Sequence, residues 1–562
     1  MKLKYIIPAA MLAMASVFTS CEDMMDLKSD SYVYGEDNKL DSANDSLYSA
    51  MGILTQLQKI GERYVLMGEL RGDLMSVTAD APVSMQEIAN FNVSASNTYN
   101  AKRDYYGIIN NCNYALARMD IMVTEHLNRV MVPEYVAIKT LRAWTYLQMG
   151  LTYGRVQWID RPILSLEESE MDYPVVELDA LVDKLVADLE RHAANRVPDY
   201  GSVDGLDSRR FFIEPRVLLG DLYLYRNQYA QAAQMYYDYI RNHEINIITA
   251  YANTWSTSQA NAIGMETFLE SYLAEAVAEI PYSSETKHYH PDLVNLTYNA
   301  TPQLVPAEWW VNELATTQHF HIDREGISMV SGFLEGDLRG RFMFANGSTQ
   351  APASFGGVAT AATSGSNEML ITKFYNVADE NSTLTNPENP LAAGHYVRAL
   401  PIYRYSHVYL RYAEALNRLG KPTLAFAVLK HGLRPEVMAD ETKVNPEELA
   451  DELPWTNFTS TVFENNRGTA MRGRGLGIDL QQSTYVIPEF DTPQETMEWV
   501  EDAIVAEMAA ETQFEGNRFF DLVRVSRHRG GTDYFAEKVS RRFPNPEAAK
   551  ALLRNTDNWW LK

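Results

Sequence analysis

Glu511, Glu515 and Arg518 follow one another at spacings of four and three, so on one continuous helix they would share a face. Two nearby carboxylates can serve as general acid and base, as in glycosidases. An arginine at the same spacings neutralises both acids instead, so an ion network along a helix face is expected here rather than catalysis. His288-Tyr289-His290 and His319-Phe320-His321 could each offer two imidazoles to a metal. Neither pair is joined by cysteine or by acids at a zinc spacing, so no metal site is expected. Arg472-Gly473-Arg474-Gly475-Leu476-Gly477 is rich in glycine. It follows no strand-to-helix pattern and no Lys-Ser/Thr comes after it, so a turn with exposed arginines is expected, not a phosphate cradle. The sequence contains neither a G-x-S-x-G elbow nor an H-E-x-x-H pair. Cys112 lies among helical residues and reads as a small buried side chain, not a nucleophile. Neither a catalytic residue nor a cofactor is expected.

The other cysteine, Cys21, calls for different chemistry. Lys2 and Lys4 precede an apolar run from Ile6 to Phe18, which is too short to span a bilayer comfortably. Thr19-Ser20-Cys21 follows, similar to the junction at which a bacterial lipoprotein signal is cut and the cysteine thiol is lipidated. Phe18 stands in place of the usual Leu. Residues 1–20 are therefore expected to be a signal peptide, with Cys21 carrying the lipid (palmitate among its acyl chains) and residues 21–40 forming a tether. Glu22-Asp23-Met24-Met25-Asp26 is similar to the export signal of lipoproteins displayed on the outer face of an outer membrane. No later stretch is long and apolar enough for a membrane-spanning helix.

Charge narrows the partners. The chain has 49 Lys and Arg against 74 Asp and Glu, a formal charge of −25, and loss of Lys2 and Lys4 would enlarge the surplus. Phosphate-rich nucleic acid and anionic membrane surfaces are poor partners for such a chain. Membrane contact is expected through the lipid alone. With 562 residues, 46% hydrophobic, there is ample material for a core without disulfides.

Several stretches carry a helical period. Ala137, Leu141, Trp144, Leu147 and Leu151 make one apolar face, stopped by Gly154. Leu218, Leu222 and Tyr225 make another, which resumes after Arg226-Asn227-Gln228 through Tyr229, Ala232, Tyr236 and Ile240. Tyr409, Ala413, Leu416 and Leu419 lead to Gly420-Lys421-Pro422, with Thr423 as the expected cap of the next helix. A fourth block runs from Trp499 to Ala510. Gly220 and Ala413 are small residues in the first helix of two such pairs, where the second helix can approach closely, as in tetratricopeptide repeats. The fold expected is mainly α, a scaffold of tetratricopeptide-like helix pairs with an irregular, loop-rich part. Residues 251–400 and 435–495 show little periodicity, and their aromatics favour functional loops.

Four segments together resemble the SusD/RagB family of nutrient-binding outer-membrane lipoproteins. They are Tyr106, Ile109, Cys112 and Asn113; Leu141-Arg142-Ala143-Trp144-Thr145-Tyr146 with Tyr153-Gly154; Arg411-Tyr412-Ala413-Glu414-Ala415-Leu416-Asn417; and Glu511, Phe514-Glu515-Gly516-Asn517-Arg518 and Asp521-Leu522-Val523-Arg524. Met508, Thr512 and Lys102 depart from the family's usual Arg, Leu and Trp. The resemblance implies a helical scaffold over 41–250, an irregular ligand-binding region over 251–400 and a return to the scaffold over 401–562. It also implies a SusC-like TonB-dependent transporter as partner, over which the lipoprotein sits as a lid, and a glycan or a peptide as ligand. A non-transport interaction scaffold and a surface glycosidase are the competing classes. Abundant loop aromatics argue against the first, and turnover of an oligosaccharide would favour the second.

A sugar presents flat C–H patches edged by hydroxyls, so its site needs aromatic faces beside amides and acids. Tyr99, Trp255, Tyr282, Tyr289 and Tyr298 lie outside regular apolar faces, with Asn97 and Asp73 in the early stretch beside Tyr99. These seven are the expected ligand contacts. Trp309 and Trp310 are set aside because they begin an expected helix, Glu308 to Leu314.

Overall fold

The computed structural model describes residues 40, 43–125, 128–247, 274–284, 289–316, 319–320, 334–335, 337–346, 368–376, 378–379, 396–451, 453–470 and 485–562. Among these residues the chain is mainly helical, and its strands are short and joined two by two. The longer helices are α1 (Ala43–Glu69), α2 (Lys102–Arg118), α3 (Val132–Tyr153), α4 (Leu178–Leu189), α5 (Pro215–Tyr225), α6 (Tyr229–Asn242), α7 (Glu308–Thr316), α8 (Tyr405–Arg418), α9 (Pro422–Lys430), α10 (Pro493–Thr512), α11 (Arg518–His528), α12 (Asp533–Ser540) and α13 (Pro546–Leu553).

Local chemistry explains their limits. Gly154 ends α3 in the left-handed region at φ 74°, which costs glycine nothing. Thr492 and Glu495 cap α10 reciprocally, with Pro493 in the first turn. Thr423 does not cap α9, contrary to expectation, because that helix already begins at Pro422. The Glu448 carboxylate caps it from outside, accepting from the backbone N–H of Thr423 and Leu424 at 3.1 and 2.8 Å.

Successive helices pack as a chain of neighbours. α2 lies on α3, α4 on α3 and α5, α5 on α6, α8 on α6 and α9, and α10 on α8 and α9. The α5–α6 and α8–α9 hairpins are the tetratricopeptide-like pairs. A Cβ on Gly220 would come within 2.5 Å of the Tyr236 ring, so that position lies at a close approach; Ala413 is fully buried. The array ends with α11 against α1, so the two ends of the scaffold meet.

Two short antiparallel pairs tie the central region to this scaffold. β1 (Met75–Val77) pairs with β3 (Leu304–Pro306), in register from Met75 opposite Pro306 to Val77 opposite Leu304. β2 (Ala276–Pro281) pairs with β4 (Ala399–Arg404), which carries a bulge between Pro401 and Tyr403 and runs directly into α8. α7 follows β3 and buries Trp310, which is why a tryptophan there makes core.

Candidate functional site

The Glu511–Arg518 stretch is not one helix face. α10 stops at Thr512, Phe514 takes φ 65° and Gly516 φ 85°, and α11 starts afresh at Arg518. An ion network does form there, but Arg518 is not what neutralises the two glutamates. Glu511 accepts from Arg339 at 2.9 Å, which also holds Glu507 and Asp337 at 2.6 Å each. Glu515 receives Lys373 at 2.5 Å and Arg404 at 2.8 Å. Burial works to raise the Glu515 carboxyl, but Arg404 and Lys373 together outweigh it and hold it down at about 2. Arg518 forks onto Asp73, Nε to Oδ1 at 2.5 Å and Nη2 to Oδ2 at 2.9 Å. All these groups are buried, so the acids serve the core and not a substrate.

Asp73 is therefore interior and closed off by Arg518, not open to a ligand. Tyr282 and Tyr298 are interior too. Tyr282 fills the space left by the missing side chain of Gly61. Tyr298 stacks on Tyr375 with ring centroids 4.3 Å apart. Tyr282 packs the central region onto α1 and Tyr298 packs within the central region, roles that an aromatic ring serves as well as it serves a ligand. Trp255 and Cys21 lie outside the described residues, as do His288, His321 and Arg472–Gly477.

The remaining candidates converge on α1. Asn97 is buried and builds a turn: Nδ2 donates to the Ser84 carbonyl at 2.9 Å and to Glu87 at 2.7 Å, while Oδ1 accepts from Tyr99 N at 2.9 Å. That turn presents Tyr99, half-buried, with its hydroxyl donating to Glu62 Oε1 at 3.2 Å. The other Glu62 oxygen accepts from Asp292 N at 2.7 Å. One turn earlier on α1, the Lys59 ammonium lies 5.0 Å from the Tyr289 ring centroid, within cation–π range. Tyr289 is itself held at φ 61°, uncommon for a residue with a bulky side chain. Tyr99 from the early region and Tyr289 from the central region thus come to the same stretch of α1, beside one carboxylate and one ammonium.

Burial, aided by Asp292, lifts the Glu62 carboxyl above its ordinary value, against the hydrogen bonds it accepts. Rings, a hydroxyl, a carboxylate and an ammonium suit hydrogen bonding and stacking with a polyhydroxylated ligand. Nothing in the sequence marks Lys59, Glu62 and Asp292 for this role. A charged stripe on a helix reads as a solvated face, and only the fold shows what stands opposite it.

Lys102, a departure from the family pattern, places its ammonium 4.6 Å from the Tyr153 ring centroid. Cys112 is fully buried, and burial pushes its thiol up to about 12, which keeps it protonated and unreactive. Among the described residues, no group of three or more His, Cys, Asp or Glu is placed to hold a metal ion, and no helix is long and apolar enough to cross a membrane.

Residues 362–561 match the SusD family. No curated protein matches the chain in sequence. Solved structures share its fold at low identity. A SusD superfamily protein from Bacteroides vulgatus is 13% identical, with TM-score 0.56 over 93% of this chain and 96% of its own. A SusD-like carbohydrate binding protein from Bacteroides fragilis is 14% identical, with TM-score 0.54 over 86% of each chain. A laminarin binding SusD-like protein is 15% identical, with TM-score 0.53 over 90% of this chain and 95% of its own. The C-terminal part of the chain, residues 362–561, thus matches the SusD family, and the chain as a whole shares its fold with solved SusD superfamily structures.

Proposed function

We propose that the chain is a surface lipoprotein that captures a glycan and hands it, as a lid, to a SusC-like TonB-dependent transporter in the outer membrane. The observation that carries this reading is the meeting of Tyr99 and Tyr289 at α1 beside Glu62 and Lys59, in a fold shared with proteins described as carbohydrate binding and laminarin binding. Trp255 is proposed to add a ring from the central region. Residues 41–250 and 401–562 would form the scaffold and 251–400 the ligand-binding part. The chain would bind without catalysis and without a cofactor. Cys21 would bear the lipid, residues 21–40 would act as tether, and the body would face the cell exterior.

Two measurements test this together. Affinity purification of the tagged protein from native membranes should recover a TonB-dependent transporter, and Cys21→Ala should shift the protein to the soluble fraction. Calorimetry against panels of glycans and peptides should find a glycan. Membrane retention of the Cys21→Ala protein defeats the anchor, recovery without a transporter defeats the lid, and binding confined to peptides replaces the glycan by a peptide.

A further inference from the structure

Arg71, just past the end of α1, is 1% exposed. Among the described residues it is the one buried arginine without a carboxylate within ion-pair distance; Arg63, Arg142, Arg339, Arg404, Arg411, Arg518 and Arg524 all have one. Its Nε donates to the Met67 carbonyl at 2.9 Å and its Nη1 to the Trp559 carbonyl at 3.0 Å, while Nη2 has no partner. Phe519 covers the guanidinium at 3.9 Å. Burial works against the charge and lowers its pKa. A buried cation without a counter-charge is expensive, and an orphaned donor adds to that cost.

Arg71 lines a cleft of about 240 Å³ between Phe91–Val93 and the last residues of the chain, with Asp557, Trp560 and Lys562 among its walls. A second cleft of about 610 Å³ shares Asp557, Trp560 and Lys562 with the first and adds Lys102, Arg155 and Glu177. Tyr153 also lines this second space, buried, with no partner for its hydroxyl. Two buried donors without partners therefore border the two clefts that Trp560 lines.

We propose that the Arg71 cleft is a binding site for the carboxylate of a small organic acid, with a uronic sugar as the fitting class. Arg71 Nη2 supplies the charged donor, and Phe91 and Trp560 give apolar walls for the carbon skeleton. Two of the three guanidinium nitrogens already serve carbonyls, and Asp557 stands in the same lining. One free donor beside one acid suits a monoanion better than a phosphate dianion. The clefts share no residue with the Tyr99–Glu62–Tyr289 cluster, so this proposal does not rest on the glycan reading of that cluster.

Calorimetry on the full chain with D-glucuronate, D-glucose and inorganic phosphate tests it. Glucuronate should bind and glucose should not. Arg71→Met should weaken glucuronate roughly tenfold or more, as expected for loss of a hydrogen bond to a charged group, while Leu164→Ala, at an exposed position that lines neither cleft, leaves it unchanged. Arg71→Met removes a cation with no acid partner, so it strands no counter-charge. Should it nevertheless fail to fold, Trp560→Ala at the half-buried wall carries the test and should also weaken glucuronate. No binding of glucuronate overturns the site, as does equal affinity in the wild type and these variants. Phosphate binding more tightly than glucuronate overturns the carboxylate assignment.

Discussion

Gly68 on α1 and Gly516 before α11 meet backbone to backbone, so a Cβ on Gly68 would run into the Gly516 carbonyl. Glu69 accepts from Gly516 N at 2.8 Å beside this contact, and Gly516 sits at φ 85°. The contact joins the first long helix to the break between α10 and α11 and closes the helical array.

Gly68→Ala is therefore expected to destabilise the fold by at least the roughly 1–3 kcal/mol typical of overpacking, because the atoms it meets are main chain. On the same helix, a Cβ on Gly52 would meet nothing within 4 Å, and Gly52→Ala should stabilise by up to about 1 kcal/mol through helix propensity. Thermal denaturation of both variants decides. Equal melting temperatures would mean that the two backbones are not in contact.

The scaffold was more legible in sequence than the site. Apolar period alone marked α3, α5 with α6 and α8 with α9, because a helix that buries one face must repeat that face. The Glu511–Arg518 spacing was misleading, since four-and-three spacing is the same whether the helix continues or breaks. Gly516 was the available signal for the break. Asp73 could not be matched with Arg518 by spacing, because only tertiary folding brings such distant residues together. In stretches without a period, the buried Tyr282 and Tyr298 could not be separated from the half-buried Tyr99 and Tyr289, since hydropathy is the same for all four.

Glu515 pairs with both Lys373 and Arg404 in the interior, and Glu275 lies 3.6 Å from Arg404. Glu515→Gln removes the carboxylate that two buried cations share, and about 3–5 kcal/mol of stability should be lost. Asp179, by contrast, pairs with Arg527 at an exposed position, so Asp179→Asn should change stability by less than about 1 kcal/mol. Urea midpoints compare the two, and a loss at Glu515 no larger than at Asp179 would refute the network's role.

The buried carboxyls should make stability fall on both sides of about pH 4. Burial lifts Glu69, Glu214 and Glu279 to about 7, above their value of about 4.3 in an unfolded chain. Their folded carboxyls hold protons that the unfolded chain has released, so their contribution is complete below about pH 4 and fades as pH rises through 7. Glu515, held down at about 2, and Glu414, pulled down by Arg524 against the effect of burial, act oppositely: their contribution is present above about pH 4 and is lost as pH falls toward 2. Their combined contribution to melting temperature should therefore fall from about pH 4 to about pH 7 and also below pH 4, while His407 and His431, whose burial disfavours protonation, act the other way as pH drops below about 6.5. Glu279→Gln, which removes one buried acid, should flatten the alkaline side. A Glu279→Gln profile that matches the wild type from about pH 4 to about pH 7 would contradict the burial of that acid.

Ligand binding should separate the half-buried tyrosines from the buried ones. A ring that stacks on a sugar contributes through its face, and truncating such a residue commonly costs at least about 2 kcal/mol, near thirtyfold in affinity. Tyr289→Ala removes the ring beside Lys59 and should weaken the captured glycan by that order. Tyr99→Phe keeps the ring but removes the hydrogen bond to Glu62. It should cost about 1 kcal/mol if that bond only orients the ring, with Tyr99→Ala costing more. Tyr298→Ala is the opposite case. Its ring stacks on Tyr375 inside the protein, so the variant should lower the melting temperature by creating a cavity while its folded fraction binds as the wild type does. Calorimetry paired with thermal melts distinguishes these outcomes. If Tyr298→Ala weakens the glycan and both Tyr289→Ala and Tyr99→Ala leave it untouched, the ligand does not bind at the Tyr99–Tyr289 face of α1.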